Sequence, residues 1–435
     1  MEADEMPFEP FDAAPKRIAV IGGGISGMAA AHLLSQDHAV VLFESAPRLG
    51  GHARTVLAGK RGDQPVDTGF IVFNKVNYPH LVALFDKLGV PTIESNMSFG
   101  VSVAGGKLEY GLAGYDAIFA QRRNLFSPRF LGMLRDITRF NALALELAQD
   151  AQTTLGEFLE RLGTGSWFRD NYLLPLSGAI WSTPSAGILE FPAQTLVQFF
   201  KNHALLGYYG QHQWFTVKGG SIEYVQRLQA ALTGQGVDLR LGAAVAGVQR
   251  HGNGVSVRGF GAEWELFDEV VFATHSDDTL RLLVDATPSE KAALSAIRYQ
   301  PNEAVLHSDP RMMPKRRAAW ASWVYAEPEG KKPERIDLTY WMNSLQPIPM
   351  DDPLFVTLNS NRPIRDDLVH DVTTFRHPVF DLPALRAQDA LRARNGTRNT
   401  WFCGAWMRNG FHEDGFASAI DVIDGMRARQ RQVAA

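Results

Sequence analysis

Lys16-Arg17-Ile18-Ala19-Val20 runs into Ile21-Gly22-Gly23-Gly24-Ile25-Ser26-Gly27, and then into Met28-Ala29-Ala30-Ala31-His32-Leu33-Leu34. A β-rich run, a glycine turn and a helix-forming run therefore follow one another. A second apolar run, Ala39 to Phe43, ends on Glu44. This order predicts a βαβ unit that cradles a dinucleotide. Gly22 permits the tight turn out of the first strand. Gly24, lacking a Cβ, lets a pyrophosphate approach the backbone, and Gly27 lets the helix lie close to the strand. The first helical turn, through Ile25 and Ser26, offers unpartnered N–H groups to the phosphates. Glu44 offers an acceptor to a ribose 2′-hydroxyl and repels a 2′-phosphate, so NADP fits least well.

The stretch that follows, Glu44-Ser45-Ala46-Pro47-Arg48-Leu49-Gly50-Gly51-His52-Ala53-Arg54-Thr55, resembles the FAD-dependent amine oxidases and carotenoid-type desaturases. The resemblance implies that Ser45, Arg48, Gly50, Gly51 and Arg54 wrap the FAD pyrophosphate and ribityl chain. His52 stands where many relatives carry arginine, which leaves that phosphate contact weaker or replaced by Arg54. Asp67-Thr68-Gly69-Phe70 resembles the next family element, and Thr68, Gly69 and Phe70 are carried over as cofactor contacts. At the other end, Thr400-Trp401-Phe402-Cys403-Gly404-Ala405 reads as a buried strand. Gly410-Phe411-His412-Glu413-Asp414-Gly415-Phe416 then opens a helix. The resemblance places Gly404 and Ala405 at the ribityl or phosphate groups, although relatives carry an acid in place of Ala405. It places Glu413, Asp414 and Phe416 at a helix N-terminus facing the flavin pyrimidine edge, where the dipole favours the electron-rich reduced ring. It also makes Val245 the adenine clamp and Ala273 a cofactor contact at the end of a late strand.

Composition bounds the rest. The chain has 435 residues, 45% hydrophobic and 21% charged, with a net charge of −4. That describes a globular enzyme of two ordinary domains. No basic cluster is interleaved with aromatics, so nucleic acid is not an expected partner. Pro314 to Arg317 and Lys331-Lys332 read as solvated loops. The single cysteine, Cys403, excludes an internal disulfide and a thiolate metal cluster. It reads as a packed thiol, and no metal is expected. The acidic start, Met1-Glu2-Ala3-Asp4-Glu5, lacks the features of a signal peptide, and no apolar run is long enough to span a bilayer. A cytoplasmic location is expected, compatible with peripheral contact at the inner face of the membrane.

The expected fold class is α/β, a Rossmann-like FAD-binding domain interleaved with an α+β substrate domain containing an antiparallel sheet. Residues 1–15 read as a flexible tail. Residues 16–95, 216–280 and 395–435 are assigned to the FAD-binding domain, and 96–215 and 281–394 to the substrate domain. Ser98 to Tyr110 reads as a hairpin and 114–162 as mostly helical. Ala304 to Leu306, Ala319 to Val324, Ile336 to Met342 and Phe355 to Leu358 read as strands of the antiparallel sheet.

A second glycine fingerprint for NAD(P)H is missing from the sequence. The expected reaction is therefore oxidation of a small-molecule or lipid substrate, with oxygen or another acceptor taking the electrons. Trp341, Trp406 and Phe411 are candidate substrate contacts, with Tyr340 and Trp401 as further aromatics of the same kind. Residues 167–214 are rich in bulky apolar and aromatic side chains, including Tyr208 and Tyr209. Their polar exceptions include His203, Gln211, His212 and Gln213. The C-terminal motif together with His275-Ser276-Asp277 resembles a bacterial subgroup associated with modified fatty acyl lipids. That resemblance implies desaturation or oxidation of a fatty acyl or other lipid chain. The alternative is an amine or polyamine oxidase, and a third reading is an FAD-binding module without turnover. An amine pocket should present an acid to the ammonium, whereas a lipid pocket should be a long apolar tunnel. His412 and Glu413 are candidate bases, with binding or orienting the flavin as their other role.

Overall fold

The computed structural model describes residues 15–207, 210–330 and 334–434. Most of the predicted tail, Tyr208, Tyr209 and the Lys331-Lys332 pair lie outside these residues. A five-stranded parallel sheet runs in the order Asp238–Arg240, Ala39–Phe43, Arg17–Ile21, Glu269–Phe272, Thr400–Phe402. Its three central strands are largely apolar on both faces, as a covered parallel sheet requires. Ile18, Val20, Val40 and Leu42 pack beneath the helices Ile25–Leu34, Pro79–Leu88, Ile222–Gly234 and His412–Ala434. Ala19, Ile21, Val41 and Phe43 point the opposite way, by the two-residue period of a strand. They meet an antiparallel meander, Val245–His251, Gly254–Gly259 and Trp264–Phe267, and the helices Pro288–Ala296 and Leu382–Arg392.

A seven-stranded sheet stands apart. Its order is Val369–Pro378, Tyr299–His307, Phe355–Leu358, Asp337–Trp341, Trp323–Ala326, Phe99–Val103, Leu108–Gly111. Helices Pro128–Leu147, Leu155–Leu162, Leu174–Trp181 and Ala193–Asn202 share its core. The architecture is the expected mixed α/β fold, with three differences in the second sheet. It is not wholly antiparallel: Trp323–Ala326 lies parallel to Phe99–Val103. The chain leaves one strand, passes through the helical segment and returns in the same direction, and such a long crossover allows parallel pairing. The strand expected from Ala319 begins only at Trp323, because Arg317–Ala319 forms a 3-10 turn. The ten-residue edge strand Val369–Pro378 was not foreseen. Its His, Asp, Arg and Pro residues mask a β pattern, and Pro378, which has no N–H, is tolerated because the end of an edge strand can do without that donor.

Candidate active site

The glycine turn is packed where it must be and open where a ligand would come. Gly22 has φ +109°, and a Cβ there would lie 2.8 Å from the Ala273 carbonyl oxygen. Ala273 N in turn donates to Ile21 O. A Cβ on Gly27 would lie 1.8 Å from Gly22 O, so that glycine seats the helix on the turn. A Cβ on Gly24 would meet nothing within 4 Å. Gly24 is the N-cap of helix Ile25–Leu34. Glu44 holds the loop: Oε2 accepts from Gly23 N (2.5 Å), while Oε1 accepts from Ala46 N (2.7 Å) and from the exposed Ser45 hydroxyl (3.1 Å). Residues 240–243 run alongside, with Arg240 O accepting from Glu44 N and Ala243 N donating to Glu44 O. The buried Val245 follows directly on this strand end.

The loop after Glu44 folds back onto the turn, with Gly50 N donating to Gly23 O and a Cβ on Gly51 reaching 3.0 Å from Gly24 Cα. Arg48 donates to the carbonyls of Leu49, Gly51 and Ala53 and so closes the loop on itself. Arg54 forms a two-pronged ion pair with Asp371 (2.6 and 3.0 Å) and reaches Thr68 Oγ1. The guanidinium proposed to stand in at His52 is thus engaged by the edge strand of the second sheet. His52 sits among rings: His275 at 5.8 Å, Phe375 at 5.0 Å and His377 at 5.5 Å between centroids. Gly69 lies against it, since a Cβ there would be 1.9 Å from His52 O, and Phe70 N donates to that oxygen. His275-Ser276-Asp277 flanks the same cluster. His275 stacks on Tyr299 at 4.3 Å, and Asp277 and Asp278 pair with Arg376.

The C-terminal motif meets the glycine turn. A Cβ on Gly415 would lie 2.8 Å from both Ile25 Cγ2 and Ser26 Oγ, with Ala405 also adjacent. Two helix N-termini therefore converge, each with first-turn N–H groups. Gly404 N donates to Ser418 Oγ (2.9 Å), and Phe416 is buried beside His80. Glu413 accepts from His80 N (2.9 Å) and Leu81 N (3.0 Å), capping helix Pro79–Leu88. Burial raises its pKa against those two N–H groups. Asp414 accepts from Phe411 N, and burial pushes it up to about 6. His412 stacks on Phe70 at 3.9 Å and shares a 2.6 Å hydrogen bond with Tyr224 Oη. The two candidate bases are thus both held by protein partners. The open cradle at Gly24, the tight turn at Gly22 and the paired helix N-termini fit a dinucleotide carrying a flavin.

A cavity of about 440 Å³ adjoins this region. Phe70, Leu134, Ile137, Leu176, Trp181 and Phe411 represent its apolar wall, and His52, His203, His377 and His412 also line it. No Asp, Glu, Lys or Arg stands among its described lining residues. Burial lowers the four histidines to about 4, 4, 3 and 3, so they are neutral. Two substrate candidates are corrected here. Trp341 points to the far side of the sheet, packing on Trp320 (5.3 Å) under Arg317, while its neighbour Tyr340 lines the cavity. Strand alternation sends adjacent residues to opposite faces. Trp406 is buried under the parallel sheet and donates to Thr274 O (3.0 Å). Trp401 is likewise a core residue. A polar recess of about 460 Å³ meets the cavity at Tyr78, Phe199, His203, Asn409 and Phe411, and it holds Glu413 and Asp414.

In the sequence His203 stands out only as a polar exception in an apolar stretch. Its Nδ1 lies 3.0 Å from Phe199 O, an oxygen that can only accept. The neutral ring therefore carries its proton on Nδ1 and a bare lone pair on Nε2. No motif marks this residue; it caps the end of helix Ala193–Asn202 beside Phe411.

Three comparisons with known proteins bear on this site. Coproporphyrinogen III oxidase of Mycobacterium tuberculosis (strain ATCC 25618 / H37Rv) is 41% identical over 80 residues, 18% of this chain. The match spans only 17% of that curated relative's length. A solved putrescine oxidase, a mutant from a redesign of its cofactor binding, superposes over 96% of this chain and 99% of its own, with a TM-score of 0.69 at 16% identity. The CLA-producing fatty acid isomerase of P. acnes covers 94% and 98%, with a TM-score of 0.64 at 16% identity. At these identities the structural likeness speaks for the fold. The model of the flavin-containing amine oxidoreductases matches residues 25–312, well over half of the sequence, and this chain, an FAD-dependent oxidoreductase, belongs to that family.

Proposed function

We propose that the protein desaturates or oxidises an uncharged, largely apolar substrate, a fatty acyl or other lipid chain, with amine oxidation as the second reading. The observation that carries the first is the uncharged cavity wall. Burying an ammonium there without a partner would cost several kcal/mol, on the order of the penalty for an unpaired ion in a protein interior. An acyl chain gains roughly 0.8 kcal/mol for each buried methylene. Among the lining residues, Trp323 Nε1 and Asn141 Oδ1 are buried without a hydrogen-bond partner, and a shift of either side chain would offer a polar contact to a carbonyl or head group. The amine reading draws on the putrescine oxidase likeness and on Asp414 in the adjoining polar recess.

FAD, when bound, supplies the two-electron acceptor for the hydride. The glycine turn and the two helix N-termini would hold the cofactor. The apolar wall would exclude water and hold the acyl chain in the cavity. His203 Nε2, bare and neutral, takes the proton from the neighbouring carbon, so that loss of H⁻ and H⁺ leaves a new double bond. Anaerobic mixing with a monounsaturated acyl lipid tests this. Flavin bleaching with a product two hydrogens lighter supports it. Bleaching by putrescine or a simple monoamine, with no response to acyl lipids, shifts the assignment to amine oxidation.

A further inference from the structure

One cavity histidine has its proton position fixed by a chain of side-chain amides. Glu303 N donates to Asn359 Oδ1 (2.9 Å). A backbone N–H can only donate, so that oxygen is the acceptor and Asn359 Nδ2 is the donor, to Ile336 O (3.2 Å) and to Asn302 Oδ1 (2.7 Å). Asn302 then has its own Nδ2 turned to Ser182 O (3.3 Å) and to His377 Nδ1 (2.7 Å). An amide NH₂ has no lone pair to offer. His377 Nδ1 must therefore accept, and the neutral ring carries its proton on Nε2.

The network is built at some cost. Asn302, Asn359 and Ser182 are all buried. Asn359 and Ser182 adopt the left-handed backbone region, with φ of +48° and +50°. Residues other than glycine persist there when their surroundings over-determine them, which happens most often at functional sites. Among the described residues, no group accepts from His377 Nε2. The ring lines the cavity and lies edge-on to His52 at 5.5 Å, and His52 directly follows Gly50-Gly51. His203 has the opposite tautomer, with a bare Nε2.

We infer that His377 presents its Nε2–H to the cavity beside His52, and that with FAD bound it would donate to the cofactor and favour its electron-rich reduced form. The role follows from the tautomer and from the loop it faces. The inference rests on FAD binding at this loop and not on the substrate class proposed above. It is therefore tested without substrate.

NMR of the FAD-free protein carrying ¹⁵N-labelled histidine should show His377 with a pyridine-type Nδ1 and a pyrrole-type Nε2 at neutral pH. In the FAD-loaded protein, His377→Leu should make flavin reduction at least tenfold less favourable, a shift of about 30 mV for a two-electron couple. His377→Gln should hold the wild-type potential, since its carbonyl can accept from Asn302 while its NH₂ faces the cavity. His377→Asn fills only the near side and should behave like the leucine variant, and it serves if the leucine variant fails to fold. A wild-type proton on Nδ1, or equal potentials in the wild-type, glutamine, asparagine and leucine proteins, would overturn the assignment. Whether acyl lipids or amines are oxidised affects neither measurement.

Discussion

Gly24 and Gly27 are three residues apart and should respond oppositely to the same methyl group. At Gly27 the added carbon would meet Gly22 O at 1.8 Å, and the backbone has no room to yield. Gly27→Ala is expected to cost ~3 kcal/mol or more, or to abolish folding. At Gly24, with φ −74° and open space, alanine should leave the apo-protein within about 0.5 kcal/mol of wild type yet sharply weaken FAD binding. Thermal melts of apo-protein and FAD titrations check both. Unchanged FAD affinity in Gly24→Ala would remove the phosphate from this turn. His203→Ala should retain FAD and lose roughly 10²-fold or more in turnover of an acyl substrate, the usual yield of a positioned base. The glycines were legible in the sequence because their chemistry is local. Trp341 was not, because a one-residue register decides whether it or Tyr340 faces the cavity. His203 and His377 were silent as well, since no motif shows that Phe199 O accepts from His203 Nδ1 or that the distant Asn302 Nδ2 donates to His377 Nδ1.

Glu413 shows why a motif position does not disclose a role. It belongs to helix His412–Ala434, yet its carboxylate caps helix Pro79–Leu88 through His80 and Leu81, partners more than 300 residues away in sequence. Pro79 opens that helix, so the N–H groups just after it are the ones in need of an acceptor. Glu413→Ala is expected to lower stability by about 1–2 kcal/mol, read as a lower urea midpoint, and to weaken FAD binding by loosening the helix start beside Ile25. Glu413→Gln should recover part of the loss, since its one carbonyl can still accept. A Glu413→Ala protein with wild-type stability would argue against the cap. Many helices and strands were legible from apolar periodicity and from the glycine motifs, but the helices Pro288–Ala296 and Leu382–Arg392 were not. Val369–Pro378 was not, because at a sheet edge the outward residues are polar and the signal halves.

Over the whole molecule, buried titratable groups set the response to acid. His52, His203, His275, His307, His377 and His412 all have pKa values held at about 3 to 4 by burial. Between about pH 4 and 6.5 the unfolded chain binds protons that the folded chain refuses. Their contribution is therefore complete above the ordinary histidine range and is lost as the pH falls. Asp67, Asp337 and Asp414, raised to about 6 by burial, act in the opposite sense, adding stability at low pH that is lost as the pH rises through 4 to 6. The histidines outnumber them, so the apo-protein's urea midpoint should fall from pH 7 to pH 4.5. A midpoint that stayed level or rose would contradict this balance. Added FAD should raise the melting temperature, by the equivalent of about 2.7 kcal/mol at a hundredfold excess over its Kd.

The first turn of the early helix, at Ile25 and Ser26, meets the first turn of the last helix at Gly415. During synthesis the early strand and its glycines leave the ribosome long before residues 404–416 exist. Each growing chain must therefore complete much of its fold empty-handed, and coenzyme capture becomes a maturation event that follows translation of the C-terminal motif. In a cell starved of riboflavin, full-length polypeptide would then accumulate in a colourless form, ready to turn yellow without any new protein being made.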